Sequence, residues 1–270
     1  MSDDPRHSRQ DFLGIDAPRL FNTLKVGVVG LGGGGSHVVQ QLAHVGFQRY
    51  ALFDADHIQD SNLNRLIGAT HRDVEQAELK VRIAERVVRG INPRAQVELF
   101  ACRWQEKPEA LRSCDVVVGC VDGFAERRDL EASARRHLIP YLDIGLDVHQ
   151  VGTAAPEMAG QIILSMPGHP CMQCLGFLSE QNLAKEAARY GDAGIRPQVV
   201  WANGVLASTA VGLLVDLVTG WTRELRPPVY LSYESNRGTV LPHARFPWVK
   251  DLKCRHYPAE AVGAPRFEES

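Results

Sequence analysis

The stretch VGVVGLGGGGSHVVQQLAHVG, residues 26–46, runs from an apolar strand-like segment through a cluster of glycines into a helix-like segment. Lys25 to Val29 reads as a short strand, and Ser36 to Val45 carries apolar residues at helical spacing. Between them Gly30, Gly32 and Gly35 fall in a G-x-G-x-x-G register. Such a turn aims backbone N–H groups and a helix N-terminus at one point, and glycine leaves no Cβ to keep a phosphate away. Asp54 follows nineteen residues after Gly35, at the end of the strand-like run RYALFDAD, where a carboxylate accepts ribose hydroxyls. Loop and acid together point to an adenosine nucleotide. They leave open whether it is a redox dinucleotide or a nucleoside triphosphate.

The same alternation continues outward. ELKVRIAERVVRGINP (78–93) has helical spacing with Gly90 and Pro93 as stop signals, and AQVELFACR (95–103) reads as a strand. CDVVVGCVD (114–122) is a fully apolar strand ending in Asp122, ERRDLEASARRHL (126–138) a helix, and PYLDIGL (140–146) another strand. Strands alternating with helices predict an α/β fold, a doubly wound, Rossmann-like and mostly parallel sheet. From about Met158 the pattern changes: GQIILSMPGHPCMQCLGF (160–177) leads from a strand to a Cys pair, and VYLSYES and GTVLPHARF are strand candidates. These C-terminal strands are expected to extend the same sheet. The organisation expected is an arm over 1–24, one domain over 25–250 with halves 25–157 and 158–250, and a tail over 251–270 ending in a disordered PRFEES.

Composition narrows the function classes. The 270 residues are 44% hydrophobic and 23% charged, with 30 Lys and Arg against 32 Asp and Glu, so nothing disposes the whole chain toward nucleic acid or an anionic membrane. The polar start MSDDPRHSRQDFLG lacks a secretory apolar run, which predicts a cytoplasmic location and six reduced cysteines. The apolar stretch 199–220 contains Asn203 and Asp216, so a buried helix suited to a subunit contact is expected rather than a membrane span.

The residues that separate the nucleotide readings lie past the ribose acid. DADHIQDSNLNRLIG (54–68) carries Asp56, Asn62 and Arg65, and Lys80 follows on the next predicted helix. Two cations near the phosphate end have little use in hydride transfer. They suit a carboxylate attacking the α-phosphorus of ATP, because negative charge builds up as pyrophosphate departs. Asp122 ends a strand at the carboxyl edge of the sheet, where a magnesium-binding role fits it.

In combination, GLGGGGS, DAD with SNLNR, LK, INP and CVD resemble the MoeB/ThiF/HesA adenylyltransferases, relatives of the ubiquitin-activating enzymes, over roughly residues 8 to 220. The resemblance implies that ATP and magnesium adenylate the C-terminal glycine of a ubiquitin-like or sulfur-carrier protein, in a homodimer, for conjugation or sulfur transfer. It also implies that Gly32, Gly33 and Gly35 lie along the phosphates and Asp54 holds the ribose. Asn62, Arg65 and Lys80 would contact phosphates, Asp122 would hold magnesium, and Arg9 would reach the partner subunit's active site. Gly123 stands where the family commonly has Asn, and AE precedes the lysine where a G-x-P turn is frequent.

Family members often bind a structural zinc. Here Cys171 and Cys174 form a CxxC, and Cys254 with His256 replaces a second pair, with His243 as an alternative ligand. Members that form a thioester carry a cysteine after the CxxC, and this chain has none from Leu175 to Trp201. Either the protein stops at the acyl-adenylate, or a thioester uses an unusual position such as Cys171, Cys174 or Cys254, or another protein accepts the adenylate, with a conjugating enzyme or a sulfur donor as partner. Two other readings remain at this point, an NAD(P)-dependent oxidoreductase and a catalytically silent scaffold for a ubiquitin-like protein.

Overall fold

A computed structural model describes residues 5–149, 153–188 and 198–257. After a 3-10 segment at Pro5–Leu13 come α1 (Ala17–Thr23), β1 (Lys25–Val29), α2 (Gly33–Val45), β2 (Arg49–Phe53), α3 (His71–Glu75), α4 (Lys80–Ile91) and β3 (Gln96–Phe100). The chain continues through α5 (Pro108–Arg112), β4 (Val116–Gly119), α6 (Phe124–Arg136), β5 (Tyr141–His149) and β6 (Glu157–Ser165). It closes with α7 (Glu180–Ala188), α8 (Val200–Thr219), β7 (Val229–Glu234), β8 (Thr239–Pro242) and α9 (Phe246–Val249).

Among the described residues the strands form one eight-stranded sheet in the order β3-β2-β1-β4-β5-β6-β7-β8. β1 to β5 pair in parallel, and β6, β7 and β8 are added antiparallel, which is the extended, doubly wound sheet expected from the sequence. The chain leaves β1 toward β2 on one side and returns to β4 on the other. That reversal opens a crevice at the carboxyl ends of β1 and β4, where ligands of open α/β sheets bind. Register makes it sharp, since Val29 is level with Phe53 on one side and Gly119 on the other.

Apolar residues cover both faces. α2, α4 and α8 pack on one side, with Val38, Val39, Leu42, Val88, Leu206 and Leu214 buried, while α5, α6 and the CxxC segment pack on the other. Asn92 shows why a polar residue follows α4: its buried amide donates to the carbonyls of Ala43 at 2.7 Å and Phe47 at 3.3 Å, closing the end of α2. α8 lies against α2, β5 and β6. Its Asp216 is 8% exposed and accepts from the Thr222 amide and hydroxyl, so this acid ties the turn that follows to the last turn of the helix.

Two expectations need revision. Within the expected arm, residues 13–24 join the domain, because Leu13, Ala17, Leu20, Phe21 and Leu24 are buried in the main core and α1 meets α8. α2 begins at Gly33 rather than Ser36. The connection after the CxxC contains α7, while its residues 189–197 and the tail PRFEES lie outside the described residues.

Candidate nucleotide cleft and metal centre

The level strand ends carry the site. Gly30, leaving β1, has φ +86 and packs so tightly that a Cβ there would sit 2.6 Å from the Cys120 carbonyl oxygen. Its amide donates to the Phe53 carbonyl, and the Leu31 amide donates to Asp54 Oδ2 at 2.7 Å. The ribose acid thus also fixes the glycine loop. Gly32 is the N-cap of α2 and faces open space. Three glycines in a first helical turn oppose helix propensity by roughly 1 kcal/mol each. Their lack of side chains lets Asn203, Ile144 and the Gly30 carbonyl close on this turn, and a helix N-terminus suits an anion.

A cleft of about 270 Å³ opens here. Gly30, Gly32, Gly33, Asp54, Asp56, Asn62, Arg65, Lys80 and Asp122 all line it, so residues spread over more than ninety positions of chain meet at one crevice. Gly35 does not line it. It lies against the Gly30 carbonyl, so its role is close packing of helix on loop rather than contact with phosphates. Arg9 is exposed on the 3-10 segment and does not line this chain's cleft.

The cations are held by local partners. Lys80 Nζ sits 2.7 Å from Asp56 Oδ2 and 3.8 Å from Asp54 Oδ1. Arg65 donates to the Ser61 carbonyl at 2.7 Å and to Asn64 Oδ1 at 3.0 Å. Asn62 spends its side-chain oxygen on the Gln59 amide, which leaves its NH2 to donate toward the cleft. Burial pushes the Asp54 carboxyl up from its ordinary value, against the pull of Lys80 and the two backbone amides. Asp122 is exposed at the opposite wall and accepts from Gln198 Nε2 at 3.4 Å.

Four further groups shape the cleft. Arg127 is buried and donates to the Asp143 carboxylate, to the Val121 carbonyl and, at 3.1 Å, to the Ile144 carbonyl. Burial opposes its charge, but Asp143 holds its pKa above the ordinary value. Asp143 also accepts from Tyr141 Oη at 2.9 Å and Gln161 Nε2 at 3.2 Å. The pair therefore pins the backbone just before Asp122 to β5. Asn203, 4% exposed, lies over Gly33, where a Cβ would meet its amide at 2.5 Å. Glu126 lines the wall beside Asp122, and burial followed by that neighbouring charge pushes its carboxyl up. The available signals were an Asp inside the apolar run PYLDIGL and an Asn inside an apolar helix.

The cysteine cluster is a separate centre. Cys171, Cys174, Cys254 and His256 bring their ligand atoms within 4.8 Å of one another. Cys171 Sγ lies 3.7 Å from Cys174 Sγ, and His256 Nδ1 lies 3.3 and 3.4 Å from the two sulfurs. A tetrahedral zinc with Zn–S of about 2.3 Å and Zn–N of about 2.0 Å needs edges of roughly 3.8 Å and 3.5 Å, so the donor set fits. His243, the alternative ligand, instead stacks on Tyr230 with ring centroids 4.1 Å apart. Buried Glu131 on α6 supports the centre by accepting from Ser165 Oγ at 2.5 Å and from the Met172 amide at 2.8 Å. Arg135, one turn on, donates to Ser165 and the His169 carbonyl and faces the Tyr257 ring.

The chain is 31% identical over 214 residues to the SAMP-activating enzyme E1 of Haloferax volcanii, covering 78% of this chain and 74% of that enzyme. It is 28% identical over 224 residues to the sulfur carrier protein ThiS adenylyltransferase of Escherichia coli, covering 79% and 82%. It is 28% identical over 237 residues to the adenylyltransferase and sulfurtransferase Uba4 of Aspergillus terreus, of which it spans 46%. In fold it resembles the crystal structure of Escherichia coli MccB with ATP, with a TM-score of 0.73 at 20% identity, over 89% of this chain and 72% of that one. The ThiF family model matches residues 7–254, and the chain belongs to the ThiF family.

Proposed function

We propose that the chain uses ATP and magnesium to adenylate the C-terminal glycine carboxylate of a ubiquitin-like or sulfur-carrier protein, releasing pyrophosphate. The observation that carries this reading is the meeting of Asp54, Asn62, Arg65, Lys80 and Asp122 around one glycine loop. The carboxylate is ionised at neutral pH and needs no general base. Its oxygen attacks the α-phosphorus, the bond from that phosphorus to the bridging oxygen breaks, and pyrophosphate leaves with the electron pair. Asp54 would hold the ribose, and the α2 amides and Asn62 would receive phosphate oxygens. Arg65 and Lys80 would stabilise the charge that grows on the leaving group. For Lys80 this requires exchanging Asp56 for phosphate. Asp122 would hold magnesium, which when bound neutralises charge on the phosphates.

The redox-dinucleotide reading leaves Arg65, Lys80 and Asp122 without a task, and a silent scaffold has no need to gather them. Structural zinc at the Cys/His centre belongs to the same proposal, supported by its tetrahedral spacing. So does a homodimer in a reducing cytoplasm. Trp201 and Val205, exposed and one turn apart near the start of α8, are an apolar pair that would suit a second copy. In that dimer Arg9 would serve the partner's cleft.

The test is exchange of labelled pyrophosphate into ATP in the presence of carriers ending in Gly-Gly. Exchange that depends on the carrier and on its terminal glycine is expected. Saturable NADH binding without any exchange would replace this reading with the oxidoreductase one.

A further inference from the structure

The Cys/His centre draws its ligands from two stretches of chain that are held very differently. Cys171 and Cys174 follow β6, and Cys171 is buried. The amide of Met172, which lies between them in sequence, donates to Glu131 Oε1 at 2.8 Å, so α6 fixes this pair. Cys254 and His256 come after α9, on a stretch outside any helix or strand in which Asp251, Leu252, Lys253, Arg255 and His256 are exposed. Little packing holds such a segment in place.

The residue just past the last ligand supplies an anchor. Tyr257 is half-buried and sets its ring against Arg135, whose guanidinium carbon lies 5.1 Å from the ring centroid. The amides of Tyr257 and His256 hydrogen-bond the Cys254 sulfur, so the place of the ring helps to set the place of the thiolate.

Arg135 is a costly residue to bury. It is 1% exposed, and its Nε donates to Ser165 Oγ at 3.1 Å and its Nη1 to the His169 carbonyl at 2.8 Å. Its Nη2 is buried with no hydrogen-bond partner among the described residues. Glu131, one turn earlier on α6, lies 4.0 Å away, but its Oε1 already accepts from Ser165 Oγ and the Met172 amide. The Tyr257 ring face offsets part of the burial, because a desolvated cation gains from an aromatic quadrupole. A metal centre offsets more, since three thiolates around a divalent ion leave one net negative charge beside it. Glu131 thus holds the backbone between the first two ligands, Arg135 faces the residue after the last one, and the Ser165 oxygen joins the two.

Resting on the zinc part of the functional reading, we infer that Arg135 is a positioning residue for the metal centre, latching the segment that carries Cys254 and His256 to α6 through the ring of Tyr257. The latch brings these two ligands into register with Cys171 and Cys174, and the guanidinium balances the charge of the occupied site. Escape of the ion begins when the exposed pair swings away, so the latch acts first on the rate of release.

The experiment loads the intact chain with zinc and follows its transfer to excess pyridylazo-resorcinol, and it records the visible bands of the cobalt(II)-loaded chain. Arg135→Met and Tyr257→Leu should release zinc at least about tenfold faster than the parent, the usual loss when an outer partner of metal ligands is removed. Their cobalt bands should shift as the second ligand pair loosens. Tyr257→Phe keeps the ring, so it should match the parent in both readouts. Parental release or unshifted bands in either of the first two variants would overturn the inference, as would release from Tyr257→Phe as fast as from Tyr257→Leu. If Arg135→Met fails to fold, the two Tyr257 variants decide the matter by the same criteria. A parent chain that takes up neither zinc nor cobalt(II) would overturn the zinc reading itself, and this inference with it.

Discussion

Replacing Arg127 with Met removes the cation of a buried pair without removing its volume. The Arg127 side chain is 7% exposed and that of Asp143 0%, so the carboxylate left behind has no access to water. Breaking such a pair from one side costs about 3–5 kcal/mol, mostly the penalty of an uncompensated buried charge. The carbonyls of Val121 and Ile144 lose a donor as well. At an unfolding entropy of about 2.1 cal/mol/K per residue, a chain of this length shifts by roughly 1.8 °C per kcal/mol, so the melting temperature should fall by about 5–9 °C. Urea unfolding should show a lower midpoint at unchanged slope. In Arg127→Met with Asp143→Asn the lone charge is gone, and Asn can still accept from Tyr141. The double variant should therefore lose less than the sum of the two single losses, by about 1–3 kcal/mol. Below its melting temperature the single variant should also lose pyrophosphate exchange at least about tenfold, equivalent to 1.4 kcal/mol, because the backbone before Asp122 is released. Strict additivity of the two substitutions would refute the claim that this pair is what pins the cleft wall.

Metal analysis of protein purified without chelator should find one equivalent of zinc, which Cys254→Ser and His256→Ala lose, whereas His243→Ala retains it because that ring stacks on Tyr230. Replacement of Glu131 by Leu strands the Met172 amide, the Ser165 hydroxyl and Arg135, so chemical denaturation should show a loss of about 3–5 kcal/mol. Asp73 is held well below the ordinary carboxylate range by Arg86 and Thr70. A depressed folded pKa adds stability above the unfolded value of about 4 and loses it as pH falls below that toward the folded one. Asp73→Asn should therefore be less stable than the parent near pH 7, with the gap closing as urea melts are repeated below about pH 4.

Much of this architecture was legible because one motif orders it. The glycine run after an apolar strand located β1 and α2, and the alternation that followed gave the strands their roles. What stayed hidden has physical reasons. Propensity disfavours helix at Gly33 to Gly35, yet tertiary packing against Asn203, Ile144 and the Gly30 carbonyl starts α2 there. The polar start of the chain concealed α1, whose few apolar residues Leu20 and Phe21 nevertheless reach the core. The cleft residues read in advance were charged ones that follow the glycine loop in a telling order, such as Arg65, Lys80 and Asp122. Arg127 was invisible because a charged residue in ERRDLEASARRHL looks like solvated surface until Asp143 is seen beneath it. Gly35 satisfied the phosphate pattern by spacing alone, and only its contact with Gly30 shows that it serves packing. The metal centre needed the fold, since Cys254 and His256 come from more than eighty residues beyond Cys171.

The central claim is that the crevice between β1 and β4 is arranged to transfer an adenylyl group. The most direct test is the rate of carrier-dependent pyrophosphate exchange in Asp122→Ala, measured on protein shown to melt like the parent. The account predicts a fall of about 100- to 1000-fold, the usual loss when one preorganised electrostatic partner of the reacting groups is removed. Exchange at the parental rate in that variant would contradict it.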